Sequence, residues 1–168
     1  MFSVRRIRPV DGPLLRSIRL AALADAPGEA TTTLARNQAQ PDDHWAEAAQ
    51  VNSMGGLQAT FFAESPDTGT DQAVGMLGAY ANRDGVVNLV GLWSAPGYRD
   101  VGVASALIAA VGEWALQAGA DRLRLWVIER NEFARRFYES EGFVATGSAM
   151  PYEPDPRINQ VEMVKRLS

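Results

Sequence analysis

Between an apolar, β-rich run and a long amphipathic segment the chain reads Gly97-Tyr98-Arg99-Asp100-Val101-Gly102-Val103-Ala104. A glycine-spaced turn that opens a helix aims unpaired backbone N–H groups, and the positive end of the helix dipole, at whatever anion docks there. The chemistry on offer is phosphate binding, against the plainer alternative of an ordinary strand-to-helix connection. Gly97 and Gly102 have the spacing of a nucleoside-triphosphate loop. Val103-Ala104, however, stand where Lys and Ser/Thr must reach phosphate and Mg²⁺, which disfavours ATP or GTP hydrolysis. A dinucleotide site needs Gly-x-Gly-x-x-Gly; the acid after the next strand is present as Glu129, but the glycine pattern is missing.

Composition removes other chemistries. With no Cys there is no disulfide, thiolate nucleophile, zinc-thiolate site or iron–sulfur cluster. The single His, His44, leaves no His-pair metal motif and makes a Ser-His-Asp triad rest on one residue in a polar segment, so no metal is expected. At 168 residues, 46% hydrophobic and 21% charged, residues 1–168 are expected to form one globular domain. No apolar run is long enough to span a bilayer, and the N-terminus lacks a signal-peptide core, so the expectation is a cytoplasmic protein without a membrane partner. A net charge of −4 argues against nucleic acid.

The elements that must position the turn follow from periodicity. Ser3–Val10 reads as a strand, and Asp11-Gly12-Pro13 as a helix start with Asp11 as N-cap. Asp25–Thr33 breaks that helix, and a second runs from Pro41 towards Asn52. Ala59–Glu64, Ala73–Tyr80 and Val86–Trp93 form a three-strand meander separated by turn residues. Ala104, Leu107, Ile108, Val111, Trp114, Ala115 and Ala118 fall on one helical face, and 122–128 alternates as a strand. Asn131 opens a last helix that ends at Glu141-Gly142. Phe143–Thr146 and Gln160–Leu167 close the chain as strands around a stiff loop holding Pro151, Pro154 and Pro156. The order β-α-α-β-β-β-α-β-α-β-β is not a string of βαβ repeats.

Arg99-Asp100-Val101-Gly102-Val103-Ala104, after a strand and Pro96, resembles the acetyl-CoA loop Arg/Gln-x-x-Gly-x-Gly/Ala of the GCN5-related N-acetyltransferases (GNAT). Asn131-x-x-Ala134-x-x-Phe137-Tyr138-Glu139-x-x-Gly142-Phe143 resembles that family's second motif. The resemblance implies an α/β (α+β) fold: a mixed, mostly antiparallel sheet of six to seven strands, splayed after the fourth and flanked by about four helices. The cofactor arm would enter the resulting V along Leu92, Trp93 and Ser94, with its pyrophosphate on the Arg99–Ala104 loop. A backbone N–H of the fourth strand would stabilise charge on the thioester oxygen when an amine attacks. Asn131 matches a polar cofactor contact, and it is equally placed to cap its helix. Arg135 and Arg136 are within the reach expected of phosphate partners. Tyr138 matches the family's general acid for the departing thiolate, a role that suits a phenol protonated at neutral pH.

What is expected of the whole is an acetyl-CoA-dependent N-acetyltransferase acting by direct attack in a ternary complex on a small-molecule or peptide amine. Monomer and homodimer both stay open. A non-catalytic acyl-CoA-binding or sensing module, and a nucleotide-binding α/β domain, are the rivals. The fourth strand carries no acid to serve as base; Asn88 could hold a water, and Asp25, Glu29 or His44 could lie near the acceptor. Acceptor choice is expected from Asp25–Leu34 and from Gly147–Asn159 with Tyr152, whose acidic residues favour a cationic amine over an anionic one.

Overall fold

In the computed structural model, which describes residues 2–25, 33–66 and 73–167, strand β1 (Ser3–Arg6) leads into helix α1 (Gly12–Asp25). Two further helices, α2 (Leu34–Gln38) and α3 (Asp42–Asn52), precede strands β2 (Gln58–Glu64), β3 (Ala73–Ala81) and β4 (Val86–Ser94). Helix α4 (Val103–Gln117), strand β5 (Arg122–Ile128), helix α5 (Glu132–Ser140) and strands β6 (Val144–Tyr152) and β7 (Asp155–Arg166) complete the order. The strands form one seven-stranded sheet, β1-β2-β3-β4-β5-β7-β6, in which only β4 and β5 run parallel. This is the mixed sheet expected, with five helices among the described residues in place of about four.

Side-chain alternation divides the core between the two sheet faces. Phe61 and Leu77 turn to one face and pack with Leu107, Ile108, Val111 and Trp114 of α4. Phe62 and Met76, their immediate neighbours, turn to the other and meet Leu15 and Ile18 of α1 and Trp45 and Ala49 of α3. No helix of the described residues is long and apolar enough to cross a membrane.

Three local expectations need correction. The first strand ends at Arg6, not Val10, because after Ile7 donates its N–H to Thr60 O at 2.8 Å the chain turns at Pro9. The break between the first two expected helices contains α2, capped by Thr33 Oγ1 accepting from Arg36 N at 3.1 Å. The proline-rich stretch is a β-hairpin, with Tyr152 paired to Asp155. Pro151 lies on the edge strand β6, and Pro156 lies where β7 has run past its partner β5, which it leaves at Gln160. Neither proline removes a bond that a central strand needs.

Asp11 stands at the expected N-cap position of α1, its carbonyl accepting from Leu15 N at 2.8 Å, but its side chain is engaged outside the helix. Its carboxylate accepts from Arg5 Nη1 and from Arg8 N, each at 2.7 Å, and Arg5 Nε also donates to Glu64 at 2.5 Å. Burial alone would raise the Asp11 pKa, but the bonds from Arg5 and Arg8 prevail and hold it below its ordinary value. A depressed carboxylate pKa adds stability that is complete above the unfolded-state pKa and lost as pH falls through the folded one. Asp11→Asn should therefore lower unfolding free energy by ~1–3 kcal/mol at pH 7. The gap to the parent should close as the pH of the unfolding experiments is taken below about 4; a gap independent of pH would count against the ion pair.

Candidate active site

The parallel pairing of β4 with β5 stops almost as it begins: Val86, Val87 and Asn88 pair with Arg122, Leu123 and Arg124, and beyond them the strands part. A cleft of about 450 Å³ opens in the V. Leu89 to Trp93 line one wall, Leu125 to Ile128 the other, and Asn131, Ala134 and Tyr138 of α5 come in from beyond β5. Tyr152 and Gln160 from the β6–β7 hairpin, and Arg19, Ala22 and Leu23 from α1, also line it.

A bulge shapes the β4 wall. Met76 pairs with Trp93 but Gly78 with Val90, so β4 carries one residue more than β3 over this stretch, with Gly91 at φ +68°. Past the bulge Ala95 donates its N–H to Val74 O of β3, so by strand alternation Ser94 and Leu92 turn their backbone groups to the side where β5 is missing. Ser94 O, on that side, accepts from Arg99 Nε at 3.1 Å.

The loop into α4 is built by turn chemistry. Ala95-Pro96-Gly97-Tyr98 closes with Tyr98 N donating to Ala95 O at 2.9 Å, with Pro second and a positive-φ Gly third. Arg99 then clamps the loop, pairing with Asp25 as well as with Ser94 O. Gly102 sits at the N-cap of α4 with φ +87°, a conformation costly for other residues, and its backbone has no side chain to cap the helix. A Cβ at Gly102 would meet nothing within 4 Å. The first-turn N–H groups of Val103, Ala104 and Ser105 have no acceptor within the helix, and such a helix start suits an anion such as a phosphate.

The profile of the Acetyltransferase (GNAT) family matches residues 25–143, well over half of the chain. The chain belongs to the GNAT acetyltransferase family. Membership places it among the acetyl-CoA-dependent N-acetyltransferases. Solved structures agree on the fold. A GNAT acetyltransferase from Streptococcus pneumoniae superposes with a TM-score of 0.81 at 19% identity over 100% of both chains. NAA60 of Arabidopsis thaliana, in complex with a bisubstrate analogue, gives 0.72 at 17% over 100% of both. A Bacillus anthracis protein named for streptothricin acetylation, in complex with acetyl coenzyme A, gives 0.61 at 21%, covering 70% of this chain and 67% of its own. No match is found among the curated proteins.

Within this GNAT fold the expected site residues divide. Leu92, Trp93, Asn88, Asn131, Tyr138 and Tyr152 come together around the cleft. Asp100, Val101 and Gly102 are exposed on the loop, Val103 is fully buried beneath it, and Ala104 is half-buried. Asn131 caps α5, its side chain accepting from Ala134 N at 3.1 Å, while also lining the cleft. Arg135 turns back to donate to Glu129 O at 2.6 Å, and Arg136 pairs with Glu132 one turn away. Asp25 does not line the cleft: its carboxylate accepts from Trp93 Nε1 at 3.0 Å and pairs with Arg99, so it braces the β4 end. His44 is exposed on α3, edge-on to Trp45. Glu29 lies outside the described residues.

Among the described lining residues there is no Asp or Glu, and most of the first acceptor loop expected from the sequence, residues 26–32, lies outside the described residues. Asp155 is taken up by Arg157 at 2.9 Å. Sequence reasoning missed Arg19, the one charged residue among the described lining residues. Its signal was an arginine set between Leu15 at i−4 and Ala22 and Leu23 at i+3 and i+4, all buried, on an otherwise apolar stripe.

Proposed function

We propose that the chain transfers an acetyl group from acetyl-CoA directly to an amine held in the V between β4 and β5. The observation that carries this reading is the parting of β4 from β5 after Asn88, which leaves the backbone of Leu92 without a β5 partner on one wall of a cleft that Tyr138 also lines. Acetyl-CoA supplies an activated acyl group. The backbone of Gly102, Val103 and Ala104 would hold its phosphates, with Asp100 and Val101 shaping the loop, and Leu92, Trp93 and Ser94 would line its arm. An N–H of β4 facing the V stabilises negative charge on the carbonyl oxygen. The amine nitrogen bonds to the carbonyl carbon, the carbon–sulfur bond breaks, and Tyr138 Oη gives its proton to the departing sulfur. The proton lost by the amine passes to water in the open cleft, from which the phenol is restored. Asn88 and Tyr152 face the acceptor. The domain is the full span 1–168.

The absence of a carboxylate among the described cleft residues favours, as a second reading, an acyl-CoA-sensing module that binds without turnover. Thermal unfolding with acetyl-CoA, ATP and NAD added separately tests the cofactor. Ligand at about 100 times its dissociation constant adds ~2.7 kcal/mol, or roughly 5–10 °C for a chain of this size. The expected result is a shift with acetyl-CoA alone; no shift, or one with ATP or NAD instead, removes the reading. Release of free CoA thiol with an amine panel then separates enzyme from sensor.

A further inference from the structure

Arg19 is half-buried, and among the described residues no carboxylate or carbonyl accepts from it. Arg5, by contrast, has Asp11 and Glu64; Arg6 donates to the carbonyls of Asn52, Gly55 and Gln58; Arg124 has Asn88 and Glu162. Burial lowers the Arg19 pKa, yet a guanidinium remains cationic at any neutral pH. The side chain reaches across to the β4 bulge, where its Nη1 would be 3.0 Å from a Cβ placed on Gly91. Glycine there leaves the room that the guanidinium occupies. A cation drawn out of water without a partner is costly, and a site keeps one when a ligand completes it.

A second group in the same cleft points the same way. Asn88 is 3% exposed, and its Oδ1 accepts from Arg124 Nε at 2.8 Å, which fixes the amide so that Nδ2 is the other end. Nδ2 is buried and has no acceptor. One cation and one buried donor, with no acid among the described lining residues, match an oxygen-rich anion.

We propose that the acetyl acceptor is an amine that also carries a carboxylate, as an α-amino acid does, with that carboxylate held by Arg19 beside the β4 bulge. The proposal rests on the cleft being the acetyl-transfer site. Two parallel N–H bonds from a planar guanidinium suit a carboxylate, and the grip leaves the amine of the same molecule to turn towards the thioester. Arg19 is then a specificity-determining residue.

The test measures CoA release by the full chain with amino acids, their carboxamides, the corresponding decarboxylated amines and aminoalkylphosphonates. The carboxylates should exceed their amides and decarboxylated counterparts at least tenfold in kcat/KM, and the phosphonates should fall below the carboxylates. Arg19→Gln should raise the KM for the carboxylate acceptor about tenfold or more, leave the KM for acetyl-CoA within about twofold, and erase the preference over the amide; Arg19→Lys should restore part of it. Equal use of decarboxylated amines overturns the proposal while leaving acetyl transfer intact. Preference for phosphonates overturns the carboxylate assignment, and a raised KM for acetyl-CoA in Arg19→Gln would move the guanidinium to the cofactor phosphates. If acetyl-CoA shifts the unfolding temperature but no carboxylate-bearing amine is either acetylated or adds to that shift, the proposal also falls.

Discussion

Tyr138→Phe should lower kcat by about 10²–10⁴-fold while leaving the affinity for acetyl-CoA and the unfolding temperature close to those of the parent. Tyr138 lines the cleft from α5, its ring packed at 5.4 Å from Phe137 and 5.8 Å from Phe143. Phenylalanine keeps the ring contacts and removes only the proton donor. The departing sulfur then leaves as an unassisted thiolate. A positioning or packing role predicts something different, namely a change in KM or in stability. A further readout isolates the proton: with an acetyl thioester of a more acidic thiol the leaving group needs less help, and the ratio of parent to variant rates should shrink. A kcat within about threefold of the parent, or a ratio blind to the leaving thiol, would remove Tyr138 as the acid.

The loop before α4 and the helix α5 were legible because they are written in contiguous residues. Pro96-Gly97 and Gly102 specify a turn and a helix start that need nothing distant, and Asn131 to Phe143 specify a helix with its cap and its end. The rest of the cleft is assembled from α1, β4, β5 and the β6–β7 hairpin, so Arg19, Tyr152 and Gln160 meet only in three dimensions. Charge counted along the loops does not say where it goes: Asp25 is taken up by Trp93 and Arg99 and Asp155 by Arg157, while the charge on the described cleft residues is a cation from a helix that reads as scaffold. The hairpin was missed for a related reason. Prolines stop a strand only where its neighbours need the N–H, and which edge β6 and the start of β7 occupy is a property of the whole sheet.

The same locality gives Phe143 two jobs, and the second large effect is expected there. It follows the glycine that ends α5: Phe143 N donates to Tyr138 O at 3.0 Å, and its ring, 2% exposed, packs edge-on against that of Tyr138. A helix end of this kind commonly joins the residue after the glycine to the last turn by just such an apolar contact. Phe143→Ala removes a core aromatic and should cost ~3–5 kcal/mol in unfolding free energy. That is a drop on the order of 10 °C in Tm. Phe143→Leu refills much of the volume and should cost only ~1 kcal/mol, yet it withdraws the flat surface behind the phenol. Its kcat should fall about tenfold, because small displacements of an acid from its proton's destination are expensive in rate. Joining it to Tyr138→Phe decides between the two jobs. If Phe143 acts on the reaction through the phenol, the double variant should be no slower than Tyr138→Phe alone, the two losses being one loss counted twice. Losses that multiply would mean that Phe143 supports the cleft by some other route, and that the ring contact does not position the acid.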